Sequence, residues 1–478
     1  MKSCRRVCRL RIWVWSLACR HKIRYDKLNG YPKSSGAGGA CSLIEKLAKT
    51  EIEKPDLLRL AWILWACRSL LLAGFRFVFN AAGIPEEGIT LIVWMMAAFP
   101  LCLCAAALPA RGAKAYIPFL IILAMAILSI ALSVVFNPQL EPFFARADYG
   151  LARIFRPDAA IYAFLFFSLL DDPKELLKNL TYLAAFEFIY LLMVEMLPAL
   201  IRGYWVFVDP RGQESRAAYS LSFGYAMTVP AVVFLYQGIR SKKWIYFLLA
   251  AVALFCILTQ GNRGALLLPL LLAALLGLKR TLDLESKKRY WIWGTAAVLT
   301  ILFLLWGKQI LQLLFSLLQR MGISSRSIEM FISGEIGSDN GRGVIWDAVM
   351  KAIREGGAFG YGTFGDRPFV YPLHYVAYSH NIFLELTASY GILGLLFGIY
   401  LTVDAVKMIF FCRERAWNDL YIILFVLSSQ LFLSMSFWYV WEFWALMAVS
   451  LSYKVKTGDW IFKYLQGRRP ALSVRREM

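Results

Sequence analysis

The chain has 478 residues, of which 59% are apolar, 15% aromatic and only 18% charged, with a formal net charge of +20. An average soluble protein carries about 25% charged residues; here the charges are clumped between apolar runs of about 15–25 residues, the length with which a helix crosses roughly 30 Å of hydrocarbon. Those numbers exclude a soluble multidomain enzyme, a disordered chain and a secreted disulfide scaffold, and because the basic excess sits in the termini and alternate loops, where it orients a membrane protein, they exclude nucleic acid as the partner.

Residues 1–56 hold thirteen Lys and Arg against five Asp and Glu. The apolar stretch from Ile12 to Cys19 is too short to span and no small-residue cleavage site follows it, so the segment reads as a basic cytoplasmic extension lying on anionic lipid. Cys4, Cys8, Cys19 and His21 match no zinc spacing, and no metal is expected. An all-α integral membrane fold follows. Twelve spans are expected, over 58–79, 89–108, 116–136, 155–171, 180–200, 218–238, 244–259, 264–278, 291–307, 381–411, 419–436 and 438–453. The basic loops Arg111/Lys114, Arg240/Lys242/Lys243, Lys279/Arg280 with Lys287/Lys288/Arg289, and Arg413/Arg415 each follow an even-numbered span, which puts both termini in the cytoplasm. The chain then divides into the extension, a membrane bundle of spans 1–9 over 57–307, an external segment over 308–380, spans 10–12 over 381–453, and a basic cytoplasmic tail over 454–478.

A connection as long as 308–380 is usually functional, and this one carries its own signals. Asn340 can cap a helix; Val344, Ile345, Ala348, Val349, Ala352 and Ile353 recur at helical spacing; Gly356 and Gly357 end it. Gly360-x-Gly362-x-x-Gly365 then matches the dinucleotide fingerprint in letters only, since no strand precedes it and no helix opens from it, and the glycines read as turn residues. His380 stands at the start of span 10. The positive end of a helix and partial burial both disfavour imidazolium, which leaves a neutral ring able to accept a proton; a histidine with a satisfied hydrogen bond is the alternative. Arg342 lies in the first turn of the loop helix, where the dipole disfavours a cation, so it points to an anionic ligand or to a salt bridge with Asp339 or Asp347. Arg263 stands in the tight external turn Gln260-Gly-Asn-Arg-Gly264. A buried arginine there costs about 2.5–3.5 kcal/mol on insertion scales, so it should face water or an anion. Arg202, Arg211 and Arg216 in the loop 201–217 can extend the same positive surface. The acids Glu187, Glu195, Glu385, Asp404 and Glu442 lie in spans but form no repeated pair, and Gly391, Gly394 and Gly398 read as a helix-packing face.

Taken together these residues resemble the O-antigen ligase and O-antigen polymerase family of bacterial inner-membrane glycosyltransferases. The resemblance rests on Asn262-Arg263-Gly264-Ala265 leading into an apolar span, Gly341-Arg342-x-x-x-Trp346, the GYGTFG segment, and Ser379-His380-Asn381-x-Phe383-Leu384-Glu385 running into Tyr390-Gly391-Ile392-x-Gly394. It covers residues about 255–400 by motif and leaves the N-terminal extension outside. What it implies is a multi-pass protein of the cytoplasmic membrane with its active site on the outer face, using no cofactor. The implied reaction is inverting, metal-independent transfer of an undecaprenyl diphosphate-linked glycan to a glycan or lipid-linked acceptor, with membrane lipids around it.

In that reaction Arg263 and Arg342 are the candidates to hold the diphosphate, a guanidinium fork matching phosphate oxygens, with Arg211 and Arg216 in support. His380 is the candidate base, and Tyr361, Phe364 and Tyr371 are candidates to stack on sugars as the loop closes over the site. The His-Asn-x-Phe-Leu-Glu block leans toward the ligase branch; a polymerase of the same family is the alternative. A secondary transporter or flippase is the reading from another class, disfavoured because transporters show internal repeats and broken helices at mid-membrane, whereas here the notable residues gather at one face.

Overall fold

The computed structural model describes residues 54–458 except 209–213, 283, 321–324, 338–340 and 376. Most of the basic extension and tail, with Cys4, Cys8, Cys19 and His21, and also Arg211, Asp339 and Asn340, lie outside the described residues. The architecture is helical, with one two-stranded antiparallel hairpin. The principal elements are α1 (Lys54–Ala66), α2 (Arg68–Ala81), α3 (Glu86–Ala106), α4 (Ile117–Phe136), α5 (Tyr162–Leu169), α6 (Pro173–Tyr190), β1 (Trp205–Val208) and β2 (Glu214–Ala217). They continue as α7 (Leu221–Ser241), α8 (Trp244–Gln260), α9 (Arg263–Leu282), α10 (Ser286–Arg320), α11 (Arg342–Glu355), α12 (Ile382–Val406), α13 (Arg415–Ser428) and α14 (Trp441–Thr457).

Among the described residues seven helices are long and apolar enough to cross a membrane, and an eighth crossing is made if α1 and α2, bent by 70° at Cys67, count as one. The expected spans 155–171, 244–259, 419–436 and 438–453 fall on helices of 8, 17, 14 and 17 residues. For α5 and α13 the physical reason is burial. Phe164, Phe166 and Phe167 of α5 and Leu420, Ile422, Leu424 and Leu427 of α13 are enclosed by protein, and a helix that is apolar all round is as well suited to a core as to lipid. Trp65 of α1 stacks on Phe166 at 5.0 Å and meets Trp441 edge-on at 6.1 Å, so this core joins the first helix to the last. By contrast α10 is exposed to its surroundings along nearly its whole length, with only 6% of its apolar window buried. It runs past the expected end at 307 to Arg320, which shortens the connecting segment before α12.

The helix expected to open at His380 departs most from expectation. Asn381 is the cap, its side chain accepting from the Phe383 and Leu384 amides, and Ile382 is the first helical residue. Gly391 then has φ 56° and ψ −130°, outside the helical region. A Cβ on Gly394 would lie 1.9 Å from the Leu386 carbonyl oxygen, and one on Gly398 would lie 2.8 Å from the Phe383 ring. In a straight helix positions 383 and 398 would be about 22 Å apart, at 1.5 Å per residue. The chain therefore folds back at Gly391: residues 382–390 lie along 392–406, and only the stretch from 392 to Phe411 is left to cross. The glycine face is a packing face, as expected, but it packs against its own chain. Gly391→Ala is expected to destabilise the fold by about 2 kcal/mol or more, since a left-handed φ strains an alanine and its Cβ would lie 2.1 Å from the Ala358 carbonyl oxygen. An unchanged melting temperature of the purified variant would count against the fold-back.

Candidate active site

The turn that carries Arg263 is built by small residues. Gly261 packs against Gly224 of α7, where a Cβ on either would press on the other's backbone. Asn262 accepts from the Ala265 amide at 3.0 Å and so caps α9, leaving Arg263 as its first residue. The Arg263 guanidinium reaches across to the external segment and donates to the Glu335 carbonyl at 3.1 Å. Gly264 lies against Tyr225 of α7: a Cβ there would sit 2.7 Å from the Tyr225 hydroxyl.

Arg342 is likewise the first residue of its helix, after Gly341 at φ 78°. The buried face of α11 is Ile345, Val349 and Ala352, packed on Val370 and Ala388; Val344, expected on that face, is 59% exposed. Trp346 ties α11 to the catalytic candidate, its indole N–H donating to the Ser379 carbonyl at 3.2 Å. Among the described residues Arg342 has no ion-pair partner, so a bridge to Asp347 is not formed. Its charge is felt both by the Tyr225 hydroxyl and by His380. Tyr225 thus lies beside Gly264, the residue after Arg263, and within electrostatic range of Arg342, whose charge also reaches His380.

The glycine-rich stretch is what holds that segment in place. The Tyr361 and Gly362 amides donate to the Ala388 and Ser389 carbonyls at 3.0 and 2.7 Å, and the Ile392 amide donates to the Ala358 carbonyl at 2.9 Å. These are backbone groups left over by the break at Gly391, and an unpaired buried one would cost about 1–3 kcal/mol. A Cβ at Gly360 would lie 2.7 Å from the Ala388 oxygen, and one at Gly362 would lie 2.2 Å from Ser133 Oγ of α4. Close backbone approach therefore explains the glycine pattern without a nucleotide.

Beneath His380 lies a buried charge cluster that the sequence did not single out. Asp366, Arg367 and Glu385 are almost fully buried, with Arg367 at 3.6 Å from Asp366 and 3.7 Å from Glu385. Ser436 donates to Glu385, and the Arg367 guanidinium lies 4.5 Å from the Phe364 ring centre and 5.5 Å from that of Tyr378. Asp366 accepts from the Ser379 amide at 2.9 Å. Burial raises the Asp366 carboxyl above its usual range, with the adjacent guanidinium acting against that rise. Together with Trp346, this clamps the residue before His380.

His380 itself precedes the cap and sits at φ 53°, strained for a residue with a side chain. Its ring packs 4.5 Å from Tyr378 and 5.5 Å from His374. Its Nδ1 is buried without a hydrogen-bond partner among the described residues. Burial, then the neighbouring His374 and the charges of Arg342 and Arg367, push its pKa down to about 3. Each of these effects favours the neutral ring.

The other candidates divide. Tyr371 is 49% exposed, edge-on to Phe143 at 5.7 Å. Tyr361 is half-buried against Phe369 at 5.3 Å. Phe364 is 1% exposed, stacked on Phe144 at 5.0 Å and covered by Arg367, so it has no face to offer a sugar. Arg216 is exposed on β2 and lies over Tyr204; its hairpin is tied to the catalytic turn through Trp205, which donates to Gln260 at 2.8 Å. Arg146, in the segment after α4, went unnoticed. It forks onto Asp148 at 3.0 and 2.8 Å, donates to the Tyr375 carbonyl at 3.0 Å, and lies 4.6 Å from the centre of the Tyr375 ring. Tyr375 donates back to Asp148 and is 46% exposed. A charge pair between two spans carries no periodic signal, which is why only the fold reveals it.

Compared with known proteins, residues 245–399, about a third of the chain, match the family described as O-Antigen ligase. No curated protein and no solved structure matches. The matched segment runs from α8 through the turn of Arg263, the external segment with Arg342, and the fold-back after His380. The order of the motifs and the family match agree: this stretch is similar to the O-antigen ligase family, and it lies within a multi-pass membrane protein.

Proposed function

We propose that the protein transfers a glycan from undecaprenyl diphosphate to an acceptor hydroxyl, with inversion, on the outer face of the bacterial cytoplasmic membrane. The observation that carries this is that Arg263, Arg342 and His380 all fall inside the family-matched segment, with the charge of Arg342 reaching both His380 and Tyr225, against which the turn of Arg263 packs. Both arginines open helices, so each guanidinium adds to a helix end worth about half a positive charge. An anion with several oxygens suits that surface. As the bond from C1 to the diphosphate breaks, negative charge grows on the leaving oxygen, where Arg263 and Arg342 stabilise it. The acceptor oxygen bonds to C1 from the opposite side, its proton passes to His380, and undecaprenyl diphosphate departs. Burial, the main cause of the depression, would remain, but bound diphosphate would offset the smaller effect of Arg342 and Arg367 and so raise the basicity of His380. Exposed Tyr371 and half-buried Tyr361 remain the candidates to meet sugar rings, and Arg216 to add countercharge at the rim. With all twelve expected spans crossing, the alternation of basic loops supports cytoplasmic termini and an outward-facing site.

The sign of the pH dependence follows from the depressed imidazole. A group whose pKa is lowered stays neutral until the pH falls through that lowered value, so kcat/KM, which reports free enzyme, should be flat from about pH 8 to about pH 5. An acidic limb centred near the ordinary histidine value of about 6.5 would show that the ring is not so enclosed. Because the arginines supply the countercharge, EDTA should leave transfer by the purified protein unchanged; a strong dependence on Mg²⁺ would contradict the clamp. The reaction is tested by glycan analysis of a deletion strain. Long chains retained on undecaprenyl diphosphate indicate the ligase, to which the His380 block leans; single repeat units indicate the polymerase; normal glycans with altered solute uptake would overturn both.

A further inference from the structure

Away from the candidate active site, a cavity of about 350 Å³ opens between α2 and α3. Its walls are drawn from positions 69, 72, 73 and 76 of one helix and 90, 93, 94 and 97 of the other. Each set has the i, i+3, i+4, i+7 spacing of a single helix face, so the two helices turn matching stripes toward a shared space. That volume lies in the range of ligand sites, about 300–1,000 Å³. The lining is amphiphilic. Leu72 and Trp94 contribute apolar walls, while Arg76 of α2 and Arg156, with Asp158, contribute charge. Arg156 is forked onto Asp158, and Asp158 also accepts at its carbonyl from Arg68 at 3.0 Å. Arg76 is exposed and has no ion-pair partner among the described residues. With two guanidiniums and one carboxylate at its wall, the cavity keeps a net positive charge. A relay of contacts runs from the pocket's polar wall toward the site: Arg153 lies within electrostatic range of both Asp158 and Tyr439, and the Tyr439 hydroxyl donates to the Tyr149 carbonyl at 2.6 Å. The Tyr149 ring in turn meets that of Tyr378, beside His380, at 5.9 Å.

An apolar slot with a guanidinium at its wall, set between membrane helices, fits a lipid tail carrying a phosphate. We propose that this cavity binds the phosphate-bearing head and first tail carbons of the lipid-anchored acceptor, with Arg76 as the anion contact and Trp94 along the tail. Naming the acceptor rests on the transfer reading above. The reaction needs two substrates held by lipid, the catalytic arginines are taken by the donor diphosphate, and the second substrate requires a cationic site of its own open to the bilayer.

The test uses the full chain in maltoside micelles and in proteoliposomes. Bromododecyl phosphate should quench the fluorescence of Trp94, read as the difference between the wild type and Trp94→Phe, at a concentration about tenfold lower than bromododecyl maltoside, the worth of one charge-assisted hydrogen bond. Arg76→Gln, a surface change that should not disturb folding, should remove that preference. In transfer assays at saturating donor, Arg76→Gln should raise the acceptor KM by about fivefold or more, leaving donor KM and kcat within about twofold, because a contact made equally in ground and transition states alters binding alone. Equal quenching by the maltoside would overturn the proposal, leaving a groove for acyl chains only. Phosphate preference with an unmoved acceptor KM would also overturn it, making the occupant a bulk phospholipid. A wild-type protein that shows the preference but transfers no glycan to lipid-linked repeat units or to lipid A-core would sink the transfer reading, and the acceptor's name with it.

Discussion

His380→Ala is expected to lower the transfer rate by about 10²- to 10⁴-fold, the usual contribution of a positioned general base, while leaving binding of the lipid-linked donor nearly unchanged. The separation follows from where the ring sits. It is enclosed by Tyr378 and His374 rather than presented to the diphosphate as a cation, so it contributes to proton transfer and little to anion binding. The change leaves the Asp366–Ser379 clamp in place, and alanine meets the φ of 53° with a Cβ just as histidine does, so the variant should fold. The measurement is a single-turnover rate with purified donor, beside a donor-binding isotherm. A variant with full activity would remove the base from the mechanism. One that lost donor binding in step with rate would place His380 in the anion site instead.

Arg342→Ala should cost about 10²- to 10³-fold in kcat, the range seen when one preorganised stabiliser of a developing charge is removed, and Arg263→Lys should cost at least about tenfold, or 1.4 kcal/mol. The two differ because the geometry differs. Among the described residues Arg342 has no acidic partner, and it stands at the opening of α11, where its charge adds to the helix dipole. Arg263 is also spent on the Glu335 carbonyl, so a lysine there loses both the fork and part of the tie between turn and external segment. A neutral result for Arg342→Ala would mean that the helix ends alone carry the anion, and a neutral Arg263→Lys would reduce that residue to a surface charge. The expected split, kcat against KM, distinguishes a transition-state contact from ordinary binding.

Much of this was legible in the sequence, and the failures have physical causes. The Asn-Arg-Gly turn, the Arg342 helix and His380 could be read because each breaks a local rule: a cation at a helix start, or a histidine in a chain that holds only three. The GYGTFG stretch could be recognised as turn glycines, but not as the strip that completes the backbone bonding of a folded-back helix, because periodicity has no view of what a glycine faces. Helix length and apolarity bear out seven or eight crossings among the described residues, and at α5 and α13 Phe164 and Ile422 are enclosed by protein, where an apolar run does not tell core from lipid. Phe364 misled for a related reason, since an aromatic beside glycines resembles a sugar platform until Phe144 is seen lying on it. The pairing of Arg367 with Glu385 and of Arg146 with Tyr375 was invisible because each joins segments distant in sequence.

The seam between residues 358–362 and the break at Gly391 bears on how substrates reach the chemistry. Peeling that strip away would expose the amides of Tyr361, Gly362 and Ile392 and the carbonyls they satisfy, at about 1–3 kcal/mol for each group left without a partner. The strip is better regarded as a fixed sill than as a swinging lid. Traffic to His380 must then pass over the half of the external segment nearer Arg342, or sideways between helices, and the enzyme's gate should be sought in those places rather than among its glycines.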